Sequence, residues 1–277
     1  MFTKSQLKDL SEFFSIDFFD KPVPPQERNT GEELLIADVH QPFTHKEAYQ
    51  RTLDENKKAD KIIIAGDWFD FYSKSHYRKT ANIGFDGEFR VGYFELIKLA
   101  RLYPKIYLML SNHDQRFKKW VFDNVPTEML NFTRLNLVED LLRLIPNLTI
   151  MKQTSASGRM IDYIYQYRNI VITHIEKSNK DITKTAQEIT KDLYKWKTTL
   201  GLKDFDMVVQ AHNHQSGRVK WGDVWVCQSP CLIDITAPSF DYVFNGKLQG
   251  NPPALGYTKL IMENKKINSS KSYIVDF

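Results

Sequence analysis

The chain has 277 residues, 42% of them hydrophobic, enough for one large core. Its 38 Lys and Arg against 34 Asp and Glu leave a formal charge of +4, which excludes the strongly basic composition of histones or ribosomal proteins and rests any nucleic-acid role on local charge. Two cysteines, Cys227 and Cys231, make neither a disulfide framework nor a zinc ribbon, and no apolar stretch approaches the roughly 20 residues that span a bilayer.

The N-terminal stretch MFTKSQLKDLSEFFSIDFFDK mixes charges into its apolar positions, unlike a signal peptide, so a cytoplasmic setting with no membrane partner is expected. A short helix there and the Pro-rich KPVPPQERNTGE form a lead-in over residues 1–32 of a single expected domain, 1–277. ELLIADVH reads as a buried strand, KEAYQRTLDENKKA as an amphipathic helix, KIIIAGD as a second strand, 87–102 as a helix and KIYLMLSN as a third strand. PTEMLNFTRLNLVEDLLRLIP is helical by its apolar spacing. NLTIMK, RMIDYIYQY and RNIVITH follow as strands, then DITKTAQEITKDLYKWKTTLG as a helix ending at Gly201, and FDMVVQAH as a strand. GRVKWGDVWVCQ has the pattern of a hairpin, and GYTKLIME and SYIVDF add two strands. Apolar strands alternating with helices predict an α/β fold with a largely parallel sheet, and the β-rich second half predicts a second sheet facing the first.

Five of these strands end in polar, metal-competent residues: Asp38 and His40, Asp67 and Asp70, Asn112 and His113, His174, and His212 with His214. A lone Asp after a strand is ordinarily a cap and a lone His a satisfied polar residue. Open α/β sheets, however, place their sites beyond the carboxyl ends of strands, where five such loops would converge. Five of the seven histidines fall there, His45 and His76 being the exceptions. The spacings DVH and HNH would turn both members of each pair to one side of an extended backbone. Carboxylate, imidazole and amide oxygen without thiolate suit a borderline or harder divalent ion. Seven ligands exceed what one open catalytic ion needs, so two ions sharing a carboxylate are expected, the usual device for phosphoester hydrolysis.

In order along the chain, DVH, GDWFD, SNHD, the lone His174 and AHNH resemble the DxH, GDxxD, GNHD, H and GHxH motifs of the calcineurin-like metallophosphoesterase superfamily. The resemblance spans residues 38–214 and implies a four-layer α/β/β/α sandwich, two mixed sheets flanked by helices. It also implies that Asp38, His40 and His214 hold one ion, that Asn112, His174 and His212 hold the other, and that Asp67 bridges them. Two divalent ions are expected, Mn²⁺ first, with Fe, Zn or Ni as alternatives. A hydroxide between them would attack phosphorus in line, with His113 as acid and Asp70 as its orienting partner. Ser111 and Ala211 stand where the family has glycine, and Ile175 where glycine often follows the lone histidine, which implies different turns around an intact ligand set.

Basic loops flank the motifs: SKSHYRK, RFKKW and KSNKDITK. Arg78, Arg116, Lys118 and Lys177 are the candidate substrate-binding cations, with Tyr77 and Trp120 for base stacking. The expected substrate is therefore a phosphoester in DNA, RNA or a nucleotide, cleaved by a phosphodiesterase or nuclease. A phosphomonoesterase and a nonenzymatic metal-dependent scaffold are the alternatives, and the oligomeric state is left open.

Overall fold

A computed structural model describes residues 2–76, 79–177, 179, 181–240 and 252–277. The first half contributes α1 (Lys4–Phe14), β1 (Glu32–Ile36), α2 (Lys46–Asn56), β2 (Lys61–Ile64) and α3 (Phe85–Leu102). It continues through β3 (Ile106–Leu108), α4 (Arg116–Asn124), α5 (Leu137–Leu142) and β4 (Leu148–Ile150). Two short strands, β5 (Gln153–Thr154) and β6 (Met160–Ile161), precede β7 (Ile164–Tyr167), β8 (Ile170–Thr173), α6 (Lys184–Trp196) and β9 (Met207–Gln210). β10 (Gly217–Trp221), β11 (Val224–Gln228), β12 (Gly256–Glu263), β13 (Lys266–Ile267) and β14 (Tyr273–Asp276) complete the order.

One sheet runs β13-β12-β1-β2-β3-β4, with β14 also on β12, and the other runs β10-β11-β9-β8-β7. β1 to β4 are parallel and β12 is antiparallel to β1; in the second sheet β8, β9 and β11 are parallel between antiparallel edges. Both sheets are thus mixed, as the resemblance implies, and not largely parallel as the strand pattern alone predicts.

Side-chain alternation explains why these strands are apolar throughout. Leu34 and Ile36 of β1 pack toward α1, α2 and α3, whereas Leu35 joins Ile63, Ile170, Ile172, Met207 and Val209 between the sheets. On the outer face of the second sheet, Val171, Val208 and Val226 bury Ala186, Ile189 and Leu193 of α6. Four layers result, helices on sheet on sheet on helix. The lead-in is packed onto this frame: Phe14, Ile16 and Phe18 are buried, Phe14 against Phe89 and Phe18 edge-on to Tyr93.

Three local departures from the sequence reading have physical causes. RFKKW, read as a basic loop, opens helix α4, because Phe117 and Val121 recur four apart and dock inward. The long helix expected over 126–146 is broken into a 3-10 turn (Thr127–Phe132) and α5, with Thr133 extended between them. RMIDYIYQY splits into β6 and β7 at Tyr163, whose φ of 65° interrupts the ladder.

Candidate metal centre

β1, β2, β3, β8 and β9 all deliver their carboxyl ends to one rim, where the two sheets meet, so five loops from both sheets converge. The loops are knitted by backbone bonds: Val39 and His40 donate to the Asp67 carbonyl at 3.0 and 2.9 Å, and Leu232 donates to the Asp38 carbonyl at 3.1 Å. The chain does not run extended through the motifs. Asp38, His40, Asp67, His212 and His214 have φ of 50°, 52°, 49°, 78° and 55°. Left-handed kinks, rather than simple strand alternation, aim DVH and HNH at a common centre, at about 1–2 kcal/mol per residue of backbone strain. Ser111, Ala211 and Ile175 all avoid positive φ, so the positions where the family has glycine need none here.

Each carboxylate presents one tied and one untied oxygen. Asp38 Oδ2 accepts the His212 N–H at 3.0 Å, leaving Oδ1 3.3 Å from His214 Nε2, 3.7 Å from His174 Nε2 and 3.9 Å from His40 Nε2. Asp67 Oδ1 accepts the Ser111 hydroxyl and, at 3.1 Å, the His113 N–H. Its Oδ2 lies 3.1 Å from His174 Nε2 and 3.6 Å from His40 Nε2. The imidazole tautomers follow from their far sides. His40 Nδ1 is 2.8 Å from Asp70 Oδ2 and His174 Nδ1 is 2.8 Å from the Ala65 carbonyl. Oxygens that can only accept hold a proton on Nδ1, so Nε2 of each ring is the atom left to coordinate an ion once it gives up any proton it carries.

Those Nε2 atoms face carboxylate oxygens across a buried space. Asp38 Oδ1, His40 Nε2, Asn112 Oδ1 and His174 Nε2 are buried without a hydrogen-bond partner, and these are the atoms that would coordinate an ion. Asp38 with His40 and His214, and Asp67 with His174 and His212, each bring ligand atoms within 4.8 Å of one another. Separations of 3.1–3.9 Å are the edge lengths of a shell at about 2.1 Å from an ion. The residues fit a divalent metal.

The electrostatics agree. Burial disfavours the imidazolium of His174, but Asp67 and Asp38 outweigh it and raise the group to about 10, while burial and His174 push His212 down to about 3. Burial opposes ionisation of Asp38, but His174 and His214 hold it at about 2. The site draws one positive charge to its centre and repels a second from its rim imidazole.

Asp70 is fully buried and is shared among three groups: His40, Arg116 at 2.8 Å and, more loosely at 3.4 Å, His113 Nδ1. It orients the His40 ring more tightly than the expected His113. Arg116 also donates to the Asp70 carbonyl at 2.9 Å and lies 3.0 Å from His113 Nε2. A guanidinium has only donors, so Nε2 of His113 accepts here. Burial, then Arg116 and His40 against the pull of Asp67, leaves His113 below its ordinary value. Sequence reading missed this arrangement because it depends on α4 starting at Arg116, three residues after His113. Asp114 holds the turn from behind, accepting the Phe69 and Ser111 N–H groups at 2.8 and 2.9 Å.

The centre floors a cleft of about 750 Å³ whose walls include Lys74, His76, Lys119 and Phe240. Phe240 stacks on His214, centroids 5.3 Å apart. Of the expected substrate-binding cations, Arg116 lines this cleft. Lys118 lines a separate cavity of about 260 Å³ beside Glu139, because the helix turns it about 100° away from Lys119 and about 160° away from Arg116. Lys177 is paired with Glu188 at 3.1 Å and Asp192 at 3.7 Å on α6. Arg78 and Tyr77 lie outside the described residues. Lys74 covers the Trp120 ring at 4.2 Å, where a base was expected to stack.

A sequence model described as "Calcineurin-like phosphoesterase" matches residues 34–244. No curated protein sequence matches the chain. Among solved structures, the chain is similar to a novel archaeal phosphodiesterase at 13% identity and a TM-score of 0.41, over 88% of this chain and 99% of that one. It is also similar to Vps29 of Entamoeba histolytica in complex with Zn²⁺, at 10% and 0.39, over 88% and 98%. A hypothetical protein of Pyrococcus horikoshii gives 12% and 0.44, over 89% and 88%.

Proposed function

Because the chain belongs to the calcineurin-like phosphoesterase family, we propose that it is a dinuclear, metal-dependent phosphoester hydrolase acting on diesters of a nucleic acid or nucleotide. The observation that carries this reading is the set of buried, unpartnered donor atoms on both sides of Asp67 Oδ2. Asp38, His40 and His214 would hold one ion and Asn112, His174 and His212 the other, with Asp67 between; Mn²⁺ suits this donor set. Bound ions supply Lewis-acid polarisation of a phosphoryl oxygen and lower the pKa of water.

The chain's own groups do the rest. Asp70 and the Ala65 carbonyl hold His40 and His174 in the tautomers that present Nε2. Arg116 brings a fixed positive charge to the cleft beside His113, suited to charge growing on phosphoryl oxygens. His113 keeps its proton at Nδ1 toward Asp70 while the guanidinium occupies Nε2. To protonate a leaving oxygen, Nε2 of His113 would first take up a proton from water in the cleft as Arg116 turns to the phosphoryl group. Lys74 and Lys119 line the cleft beside Arg116 and favour a substrate with negative charge beyond the scissile phosphate, which supports the diester reading over a simple monoester.

The test is hydrolysis of bis-p-nitrophenyl phosphate and p-nitrophenyl phosphate with added Mn²⁺, then with a chelator. Chelator-sensitive diester cleavage is expected. Activity on the monoester alone sinks the diesterase reading, and no hydrolysis of any phosphoester class sinks the enzyme reading.

A further inference from the structure

We propose that Ser111 is a positioning residue that ties down one oxygen of Asp67, leaving its other oxygen, Oδ2, as the one that would reach the bound ions. The inference rests on the dinuclear reading above. Ser111 is fully buried beyond the end of β3. Its hydroxyl accepts the Asp67 N–H at 2.6 Å and donates to Oδ1 of the same aspartate, closing a two-bond ring on one residue. The His113 N–H adds a second donor to Oδ1 at 3.1 Å. With two donors on it, Oδ1 is withdrawn from coordination.

Oδ2 is in the opposite situation. The imidazole nitrogens facing it, His174 Nε2 at 3.1 Å and His40 Nε2 at 3.6 Å, have no other partner, their Nδ1 atoms being held by the Ala65 carbonyl and Asp70. A carboxylate oxygen set this close to two imidazole nitrogens favours a cation between them, a proton in the metal-free chain or a bound ion in its place. An atom shared by two ions, about 2.1 Å from each, keeps them within about 4 Å; a bridge through both oxygens allows a wider pair.

Two neighbours keep the serine in place. Asp114 Oδ2 accepts the Ser111 N–H at 2.9 Å and lies 3.2 Å from the hydroxyl. Gly66, at φ 97°, lets the strand end come this close: a Cβ there would sit 2.7 Å from Ser111 Oγ and 2.4 Å from His174 Nδ1. Since Ser111 does not occupy positive φ, glycine at this position would keep the turn and lose only the hydroxyl.

Ser111→Ala and Ser111→Gly, with Mn²⁺ titrated calorimetrically and the loaded proteins examined by EPR, test the proposal. Both variants are expected to lose about ten- to hundredfold in affinity for the second ion. Both are also expected to show weaker exchange coupling between the two Mn²⁺ ions than wild type. Wild-type affinity with an unchanged coupled spectrum in the variants overturns the inference alone. So does a lower melting temperature of the metal-free variants with both metal readouts unchanged, which is what a purely structural serine would give. A wild-type protein that takes up no ion pair overturns the dinuclear reading and this inference with it.

Discussion

Replacing Asp70 by asparagine changes almost no volume but reverses one hydrogen bond. The wild-type carboxylate accepts on both oxygens, from Arg116 on Oδ1 and from His40 Nδ1 on Oδ2, each at 2.8 Å. Burial opposes its ionisation, yet His113 and His40 hold it well below the usual carboxylate range. An amide has one acceptor and one donor end. Arg116 can only donate, so the amide oxygen must face it and the NH₂ must face His40. His40 Nδ1 then has to accept, its proton moves to Nε2, and the lone pair that faces Asp67 and Asp38 is lost. Affinity for the first ion should fall about ten- to hundredfold, or about 1.4–2.7 kcal/mol. Two measurements read this out: Mn²⁺ titration calorimetry of the Asp70→Asn variant, and imidazole ¹⁵N shifts of the metal-free protein, which report the His40 tautomer. Unchanged first-ion affinity with the proton still on Nδ1 would refute the tautomer argument.

Other consequences are equally specific. Glu88, buried on α3, accepts the Tyr72 and Ser73 N–H groups at 2.6 and 3.0 Å, and burial pushes it from 4.5 to about 7. A carboxyl raised on folding binds its proton more tightly in the native state, so stability should fall by up to about 3 kcal/mol between pH 4.5 and 7. Glu88→Gln should flatten urea midpoints across that window, and an unaltered pH profile would contradict it. Gly92→Ala places a Cβ 2.3 Å from the Phe69 ring and should destabilise the chain by about 1–3 kcal/mol in urea unfolding, since that ring is fully buried and stacked on Phe71. Arg116→Lys cannot span Asp70 and His113 with a planar fork, so turnover should drop about tenfold or more while Mn²⁺ affinity stays near wild type. A matching loss of ion affinity would show that Arg116 acts through the ligands instead.

The strands could be read from the chain because burial on both faces leaves a continuous apolar signal, as in Leu34-Leu35-Ile36 and Ile170-Val171-Ile172. The ligand-competent residues were readable for a related reason: an Asp or His directly after such a run has only the sheet rim to occupy. What the sequence hides is set by geometry at longer range. Asp38, His40 and His212 carry no local mark of a left-handed backbone, because that conformation is imposed by pairing with neighbouring loops. Lys118 and Lys119 look alike in sequence and part company only through the rotation of α4. Lys177 looks free until α6 brings Glu188 and Asp192 against it. Ser111 read as a missing glycine, and only the folded chain shows its hydroxyl closing on Asp67.

The central claim is that seven side chains from five loops hold two ions with Asp67 between them. Metal content of the purified chain, measured by mass spectrometry after equilibration with Mn²⁺ and removal of free ion, tests it most directly, with Asp67→Asn measured alongside. Two ions per wild-type chain, falling to one or none in the variant, is the predicted result. A single ion in wild type, or two ions retained by Asp67→Asn, would contradict it.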